Sequence, residues 1–358
     1  MALICGCLLF LSLPSSVLAD RGMLPIADTL VYEPGQKAII GWDGEQEILI
    51  LSTDVRAESD TMVLEIFPLP SQPESVEQGD FDSFVRIGEL IQEHFPQFSW
   101  REEHLATMGG GEEPGAEVVF HEKIGVHDIW VVKADAADEF IGWAEDFLAR
   151  NEIEYTVSSP ELNLLVGDYI EEGIKFFVFD LIEISSAESS VEPIVYRFKT
   201  DYLYYPIKIS SLISGPTRIT LFLLTPEALD LSQLAESEGV RSGMMEKVTP
   251  YGLLGYELSG MGIAQANGKP IQFELSGEEL QSIDPRLREL LGEHAWLTAL
   301  DSFRFIRALD EDVKLTKALL SPVVEESDSA NLIWVWVILG TVVLGVAGTL
   351  SLRYRKSM

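Results

Sequence analysis

Cysteine is nearly absent from this chain of 358 residues: Cys5 and Cys7 are the only two, and both lie in an apolar N-terminal stretch. With that stretch removed, the remainder has no disulfide, no thiolate ligand and no thiol nucleophile, which excludes disulfide scaffolds, Cys-ligated zinc and cysteine proteases. No Asn-x-Ser/Thr sequon occurs, so N-linked glycan is not expected. Basic residues are scarce, 25 Lys and Arg against 58 Asp and Glu. A surface of that sign repels phosphate backbones and anionic lipid, so nucleic acid is not an expected partner. Charge of either sign is missing altogether from Met1–Ala19 and from Leu332–Leu352.

Those two uncharged stretches set the organisation. Leu3–Leu13 is apolar, Pro14, Ser15 and Ser16 break it, and Val17-Leu18-Ala19 has the small-residue spacing of a cleavage site, so residues 1–19 read as a signal peptide. Leu332–Leu352 is a run of 21 uncharged residues, which as a helix spans roughly 31 Å, the thickness of a bilayer core. Trp334 and Trp336 suit its outer interface, and Arg353, Arg355 and Lys356 follow at once as a cytoplasmic anchor. The expected topology is a single-pass protein of the cell membrane: ectodomain 20–320 outside, acidic stalk 321–331, membrane helix 332–352, cytoplasmic tail 353–358. Setting aside the three basic tail residues leaves 22 bases against 58 acids outside, a net charge of −36. A solvated acidic coat explains this more simply than cation binding at clusters such as Asp310-Glu311-Asp312 or Glu325-Glu326-Ser327-Asp328.

Within the ectodomain, 47% hydrophobic residues over the whole chain supply a real core. Lys37–Trp42 and Glu47–Ser52 read as a hairpin about Asp43-Gly44, and Thr61–Phe67 as the third strand of an antiparallel meander. Phe84, Ile87, Ile91 and Phe95 fall on one face of a helix over Phe81–Phe95. Strands are expected at Glu117–His121 and Asp128–Lys133, helices at Ala137–Arg150 and Leu162–Glu171, and a buried strand at Lys175–Ile184. Further strands are placed at Pro193–Thr200, Tyr205–Ser210, Thr217–Leu224, Gln272–Leu275 and Asp301–Ala308, with a short helix opened by Asp284-Pro285. The pattern is α+β: mainly antiparallel sheets with packed helices, a smaller lobe from residue 226, and the C-terminal transmembrane helix.

Candidate chemistry is thin. Gly109-Gly110-Gly111 runs into acids rather than Gly-Lys-Ser/Thr, so it is no phosphate loop, and no Gly-x-Ser-x-Gly elbow occurs. The densest constellation is His121, Glu122, His127 and Asp128, two imidazoles and two carboxylates in eight residues, the material for a divalent cation such as zinc and a base. Its six-residue spacing across Gly125 is wrong for the helical His-Glu-x-x-His arrangement. Two half-exposed histidines beside a turn are the simpler reading, and no cofactor is expected. Tyr202, Tyr204 and Tyr205 offer a stacking platform for a carbohydrate or peptide, although alternation along a strand turns some of those rings inward.

Several segments resemble the domain-of-unknown-function family 2330 of archaeal and bacterial extracytoplasmic proteins: Asp20–Pro25, Glu33–Ile40, Lys123–Asp128 leading to Val132–Asp135, and the helix around Trp143. Tyr169–Gly173, Phe176–Phe179, Tyr205-Pro206-Ile207 and Leu297–Leu300 continue it, from about Asp20 to Leu315. The resemblance implies a secreted or tethered module and carries no catalytic residue. The function expected is a non-enzymatic surface module for protein, envelope polymer or cations; the alternative is a metal-dependent hydrolase centred on His121 and His127.

Overall fold

The computed structural model describes residues 24–26, 31–57, 59–96, 117–184, 189–212, 216–237, 239–240, 243–248, 254–259, 261–305 and 311–320. The first part of the chain forms β1 (Leu24–Pro25), β2 (Val31–Trp42), β3 (Gln46–Ala57), β4 (Thr61–Leu69), β5 (Pro73–Gln78) and α1 (Asp82–His94). Next come β6 (Glu117–Ile124), β7 (His127–Lys133), α2 (Ala137–Arg150), α3 (Pro160–Glu171), β8 (Phe176–Ile184), β9 (Ser189–Lys199), β10 (Tyr202–Tyr205) and β11 (Pro216–Thr225). The last part holds α4 (Leu231–Leu234), β12 (Gly243–Val248), β13 (Leu254–Ser259), β14 (Gly262–Ile263), β15 (Gln265–Ala266) and β16 (Lys269–Pro270). It ends with β17 (Gln272–Ser276), α5 (Gly277–Ile283), α6 (Pro285–Leu291), β18 (His294–Phe305) and β19 (Val313–Thr316).

Two sheets carry the fold. The smaller runs β1-β4-β8-β7-β6 and is antiparallel. The larger runs β14-β18-β11-β2-β3-β9-β5, with β17 also paired to β18, and only its β2–β11 pair is parallel. Period-two alternation divides each strand of the larger sheet between two cores. Ile39, Ile48 and Ile50 turn to α1, α5 and α6, where Phe84, Leu280 and Leu287 meet them. Ala38, Ile40, Trp42, Leu49 and Leu51 turn the other way, toward the smaller sheet. There Phe67 of β4 meets Tyr196 of β9 edge-on at 5.2 Å. The outer face of the smaller sheet is covered by α2, whose Phe140 packs on Phe177 at 4.9 Å and Trp143 on Phe179 at 4.8 Å. The layering is therefore helix, sheet, sheet, helix. Gly41 lets α6 lie close on β2: a Cβ there would fall 2.6 Å from Leu287 Cδ2 and force that buried side chain to move.

The α+β class, the hairpin at Asp43 and the helices over α1, α2 and α3 match the sequence reading. Three expectations are corrected. β4 does not continue a meander: it crosses to the smaller sheet and pairs with β1 and β8. The reason is its continuous burial from Val63 to Leu69, which suits a central strand covered on both faces. Tyr205–Ser210 is not a strand; β10 ends at Tyr205 and Lys208–Leu212 is a 3₁₀ turn. No separate lobe begins at residue 226, since β17 and β18 complete the sheet that holds β2 and β3. The glycine run at 109–111, Asp310, the stalk and Leu332–Leu352 lie outside the described residues; among those described, no helix is long and apolar enough to cross a membrane.

Candidate functional site

The segment singled out for chemistry is a tight hairpin between the edge strand β6 and β7. Ile124 pairs with His127 across a loop of Gly125 and Val126, and Gly125 takes φ +60°. That φ favours glycine, and any Cβ there would also displace the Glu192 carboxylate, whose Oε2 would lie 1.8 Å away. In this register His121 stands opposite Trp130. Trp130 is three residues from His127, an odd number, so the two imidazoles project from opposite faces of the sheet.

Each imidazole finds its own carboxylate. On the helix-covered face, His121 Nε2 lies 2.9 Å from Asp128 Oδ1 and the ring stacks on Trp130 at 4.3 Å. Trp130 in turn packs on Phe147 of α2 at 4.5 Å. On the inter-sheet face, His127 Nδ1 lies 2.5 Å from Asp180 Oδ2 of β8, and its Nε2 lies 2.9 Å from the carbonyl oxygen of Glu192 in β9. A carbonyl only accepts, so Nε2 carries hydrogen and donates across the gap between sheets. Asp180 also accepts from the Asp128 amide at 3.1 Å through Oδ1. Glu65 of β4 stands opposite Asp180 in the ladder and is itself buried.

This geometry does not bring the four residues of the metal reading together. His121, His127 and Asp128 do not converge on one point, because the sheet lies between the two pairs, and Glu122 is exposed on the edge strand. Both nitrogens of His127 are committed to protein oxygens. Among the described residues no three His, Cys, Asp or Glu side chains are grouped to hold a metal ion. A His–Asp pair also resembles part of a catalytic relay, but a base must offer its second nitrogen to a nucleophile. His127 offers that nitrogen to the backbone of the opposing sheet, where it acts as a clasp.

The three tyrosines do not form one exposed row of rings. Tyr204 and Tyr205 are wholly buried, and Tyr202 is half-buried and edge-on to Tyr204 at 6.0 Å. β10 pairs with β19, and neighbouring tyrosines reach polar groups on different sides: Tyr204 Oη donates to Asp312 Oδ2 at 3.0 Å and Tyr205 Oη to Gln36 Oε1 at 2.6 Å. Asp312 is the hub of a second buried cluster. Its Oδ1 accepts from Tyr169 Oη of α3 at 3.0 Å and from the Lys208 amide at 2.8 Å. Beside it Lys208 lies 4.3 Å from the Tyr169 ring centre, and Lys208 and Lys314 both pair with Glu172. Another buried acid, Glu47, accepts from the Tyr204 amide at 2.7 Å through Oε2.

Asp180, Glu47 and Asp312 were not singled out as site residues from sequence. Asp180 had a readable signal, an acid inside the apolar run Phe176–Ile184, since a charge on a buried strand must be paired. Asp312 had none, because it sits among acids that look solvated.

Four buried groups share a titration direction. Burial raises Glu47 well above its ordinary value and also raises Asp312 and Asp128, against the hydrogen bonds that favour their charged forms. Burial works to discharge His127, but the Asp180 carboxylate, with Glu65 beyond it, outweighs burial and raises it above 6.5. A group whose folded pKa is raised stabilises the fold fully below its unfolded pKa, and that contribution is lost as pH rises through the folded pKa. Groups shifted the other way, such as Asp135, Glu74 and Asp230 at about 2, are exposed and act only in strong acid. The melting temperature is therefore expected to be higher at about pH 5.5 than at about pH 8, with the fall continuing above the ordinary histidine range. A melting series in buffers of constant ionic strength checks this; a flat or rising profile contradicts it.

The model of the uncharacterized proteins conserved in bacteria, DUF2330, matches residues 16–316. The chain belongs to that family. Its match embraces both sheets, both His–Asp pairs and the Asp312 cluster, so these are features of the family's own domain in this chain. No curated protein matches the chain. Among solved structures it is similar to baculovirus P35, at 11% identity and a TM-score of 0.38, over 81% of this chain and 97% of that one. It is also similar to the chain in a caspase-8/P35 complex, at 9% identity and a TM-score of 0.34, over 82% of this chain and 97% of that one. Scores of this size assign nothing to this chain.

Proposed function

We propose that this chain is a single-pass membrane protein whose folded part stands outside the membrane as a binding or interaction module for a protein, an envelope polymer or cations, rather than as a hydrolase. The observation that carries the non-enzymatic half is the commitment of His127 to Asp180 on one strand and to the Glu192 carbonyl on the other sheet. An imidazole used as a clasp has no hydrogen-bonding position left for substrate, water or metal. The tethered half rests on the uncharged runs at Met1–Ala19 and Leu332–Leu352 and on the basic residues after the second. The acid excess outside keeps such a module soluble and away from anionic headgroups and nucleic acid.

Fractionation of producing cells tests the tether. The chain is expected in the membrane pellet after alkaline carbonate extraction, shortened by the leader. External protease should digest everything but a small C-terminal fragment. Recovery of the uncleaved chain from the soluble cell interior contradicts the proposal.

A further inference from the structure

Asn267-Gly268 is the tip of the ribbon formed by β15 and β16, which pair only with each other among the described residues. Ala266 pairs with Lys269, so these two residues make up the whole loop. Asn267 takes φ +54° and Gly268 φ +73°. Positive φ at both central positions defines a type I′ turn, for which Asn-Gly is a favoured pair. Both residues are exposed, and a Cβ built on Gly268 would meet nothing within 4 Å. The other asparagines of the chain, Asn151, Asn163 and Asn331, are followed by Glu or Leu.

The pair carries its own chemistry. Glycine has no side chain to shield its amide nitrogen, so Gly268 N is the most accessible backbone nucleophile an asparagine side chain can meet. Attack on Asn267 Cγ forms an N–Cγ bond and closes a succinimide ring. The Cγ–Nδ2 bond breaks, and ammonia leaves with the proton from Gly268 N. Water then opens the ring at one of its two carbonyls. Opening at Cγ gives aspartate; opening at the backbone carbonyl gives isoaspartate, whose main chain runs through Cβ and Cγ and is longer by one carbon. No oxidant or reductant takes part.

The fold sets the timing. Ring closure needs Gly268 N and Asn267 Cβ on the same side of the Cα–C bond, whereas the ψ of about +30° at the first central position of a I′ turn sets them nearly opposite. The turn must therefore open before the bond can form. Its root is fastened: Ile271 N donates to Ala264 O at 2.8 Å, Ala264 N to Ala299 O at 2.8 Å and Ala299 N to Ile271 O at 3.0 Å. Ala266 and Ile271 are wholly buried and belong to the core that α5 and α6 cover.

We propose that Asn267 is a self-modifying site gated by the β15–β16 ribbon, and that the folded chain converts slowly at this asparagine to aspartate and isoaspartate. Aspartate keeps the loop, since its short polar side chain tolerates positive φ, and adds one negative charge at the tip. Isoaspartate lengthens a loop built for two residues and breaks the Gln265–Pro270 and Ala266–Lys269 register.

The test ages the full chain folded and, in parallel, unfolded in urea, and maps its peptides by mass spectrometry with the two acids separated by chromatography. Conversion is expected at Asn267 and not at Asn151, Asn163 or Asn331. It should run about ten- to a hundredfold slower in the folded chain, because the competent backbone is a minor state of a paired ribbon. Ile271→Val trims one buried methyl at the root and is expected to raise the folded-state rate about twofold to tenfold, with a melting curve showing that the chain remains folded. Asn267→Gln should abolish conversion at this position, and Asn267→Asp should melt as the parent chain does. A folded chain still intact beyond that range of times, or conversion centred on another asparagine, overturns the site. Equal rates in the folded and unfolded chains, or no response to Ile271→Val, overturn the gating.

Discussion

Replacing Asp312 by alanine is expected to lower the stability of the folded domain by about 3–5 kcal/mol, among the largest losses available from a single residue outside the apolar core. The carboxylate accepts from Tyr169 Oη, Tyr204 Oη and the Lys208 amide, and all three donors are shielded from water. Truncation leaves three buried or half-buried donors unmet, at about 1–3 kcal/mol each before relaxation. The three acceptor contacts also join α3, β10 and the 3₁₀ turn at Lys208 to the strand that follows Asp312, so their loss loosens the end of the molecule where β19 pairs with β10. The melting temperature is expected to fall by roughly 6–12 °C for a domain of this size. Asp312→Asn keeps one acceptor oxygen but turns an amide donor toward a donor, and is expected to lose less than alanine and more than a surface substitution. A fall of under about 2 °C for alanine contradicts this assignment.

The second large effect belongs to His127. His127→Ala removes the partner of a carboxylate whose side chain has no exposed surface, and Asp180 then shares the gap between sheets with Glu65 and without the imidazole. Removing one member of a buried pair costs about 3–5 kcal/mol, because the remaining charge is neither solvated nor neutralised. The double substitution His127→Leu with Asp180→Leu removes both charges and is expected to lose less than His127→Ala alone, a non-additivity that a thermal double-mutant cycle reads directly. His127→Leu is also expected to flatten the fall in melting temperature above the ordinary histidine range, since the group responsible is gone. Additive losses, or an unchanged pH profile, would show that the two side chains do not act as a pair.

The sequence exposed the outline of this fold more fully than its site. Helices with a clear 3.6-residue period, such as Phe84, Ile87 and Ile91 on α1, were legible because their apolar positions face one sheet and nothing else. The hairpin at Asp43 was legible because its turn is local: the Asp43 carboxylate accepts from the Glu45 and Gln46 amides, each at 2.8 Å. The destination of β4 was not, because a strand buried on both faces has no alternation to say which sheet it joins. The site failed for a related reason. His121, His127 and Asp128 are neighbours in sequence, but strand alternation and one register keep His121 and Asp128 on one face and send His127 to the other. The partners of His127, Asp180 and Glu192, come from 53 and 65 residues away. Tyr204 and Tyr205 misled because alternation places one ring inward and one outward only if one face meets solvent, and β10 buries both.

The metal content of the purified chain decides whether the imidazoles and carboxylates of β7 and β8 fasten two sheets or hold a metal. With His127 bonded on both nitrogens, zinc measured by mass spectrometry is expected far below stoichiometric, and a chelator should leave the melting temperature unmoved. Stoichiometric zinc that disappears in His127→Ala, with a melting temperature that drops on chelation, would contradict it.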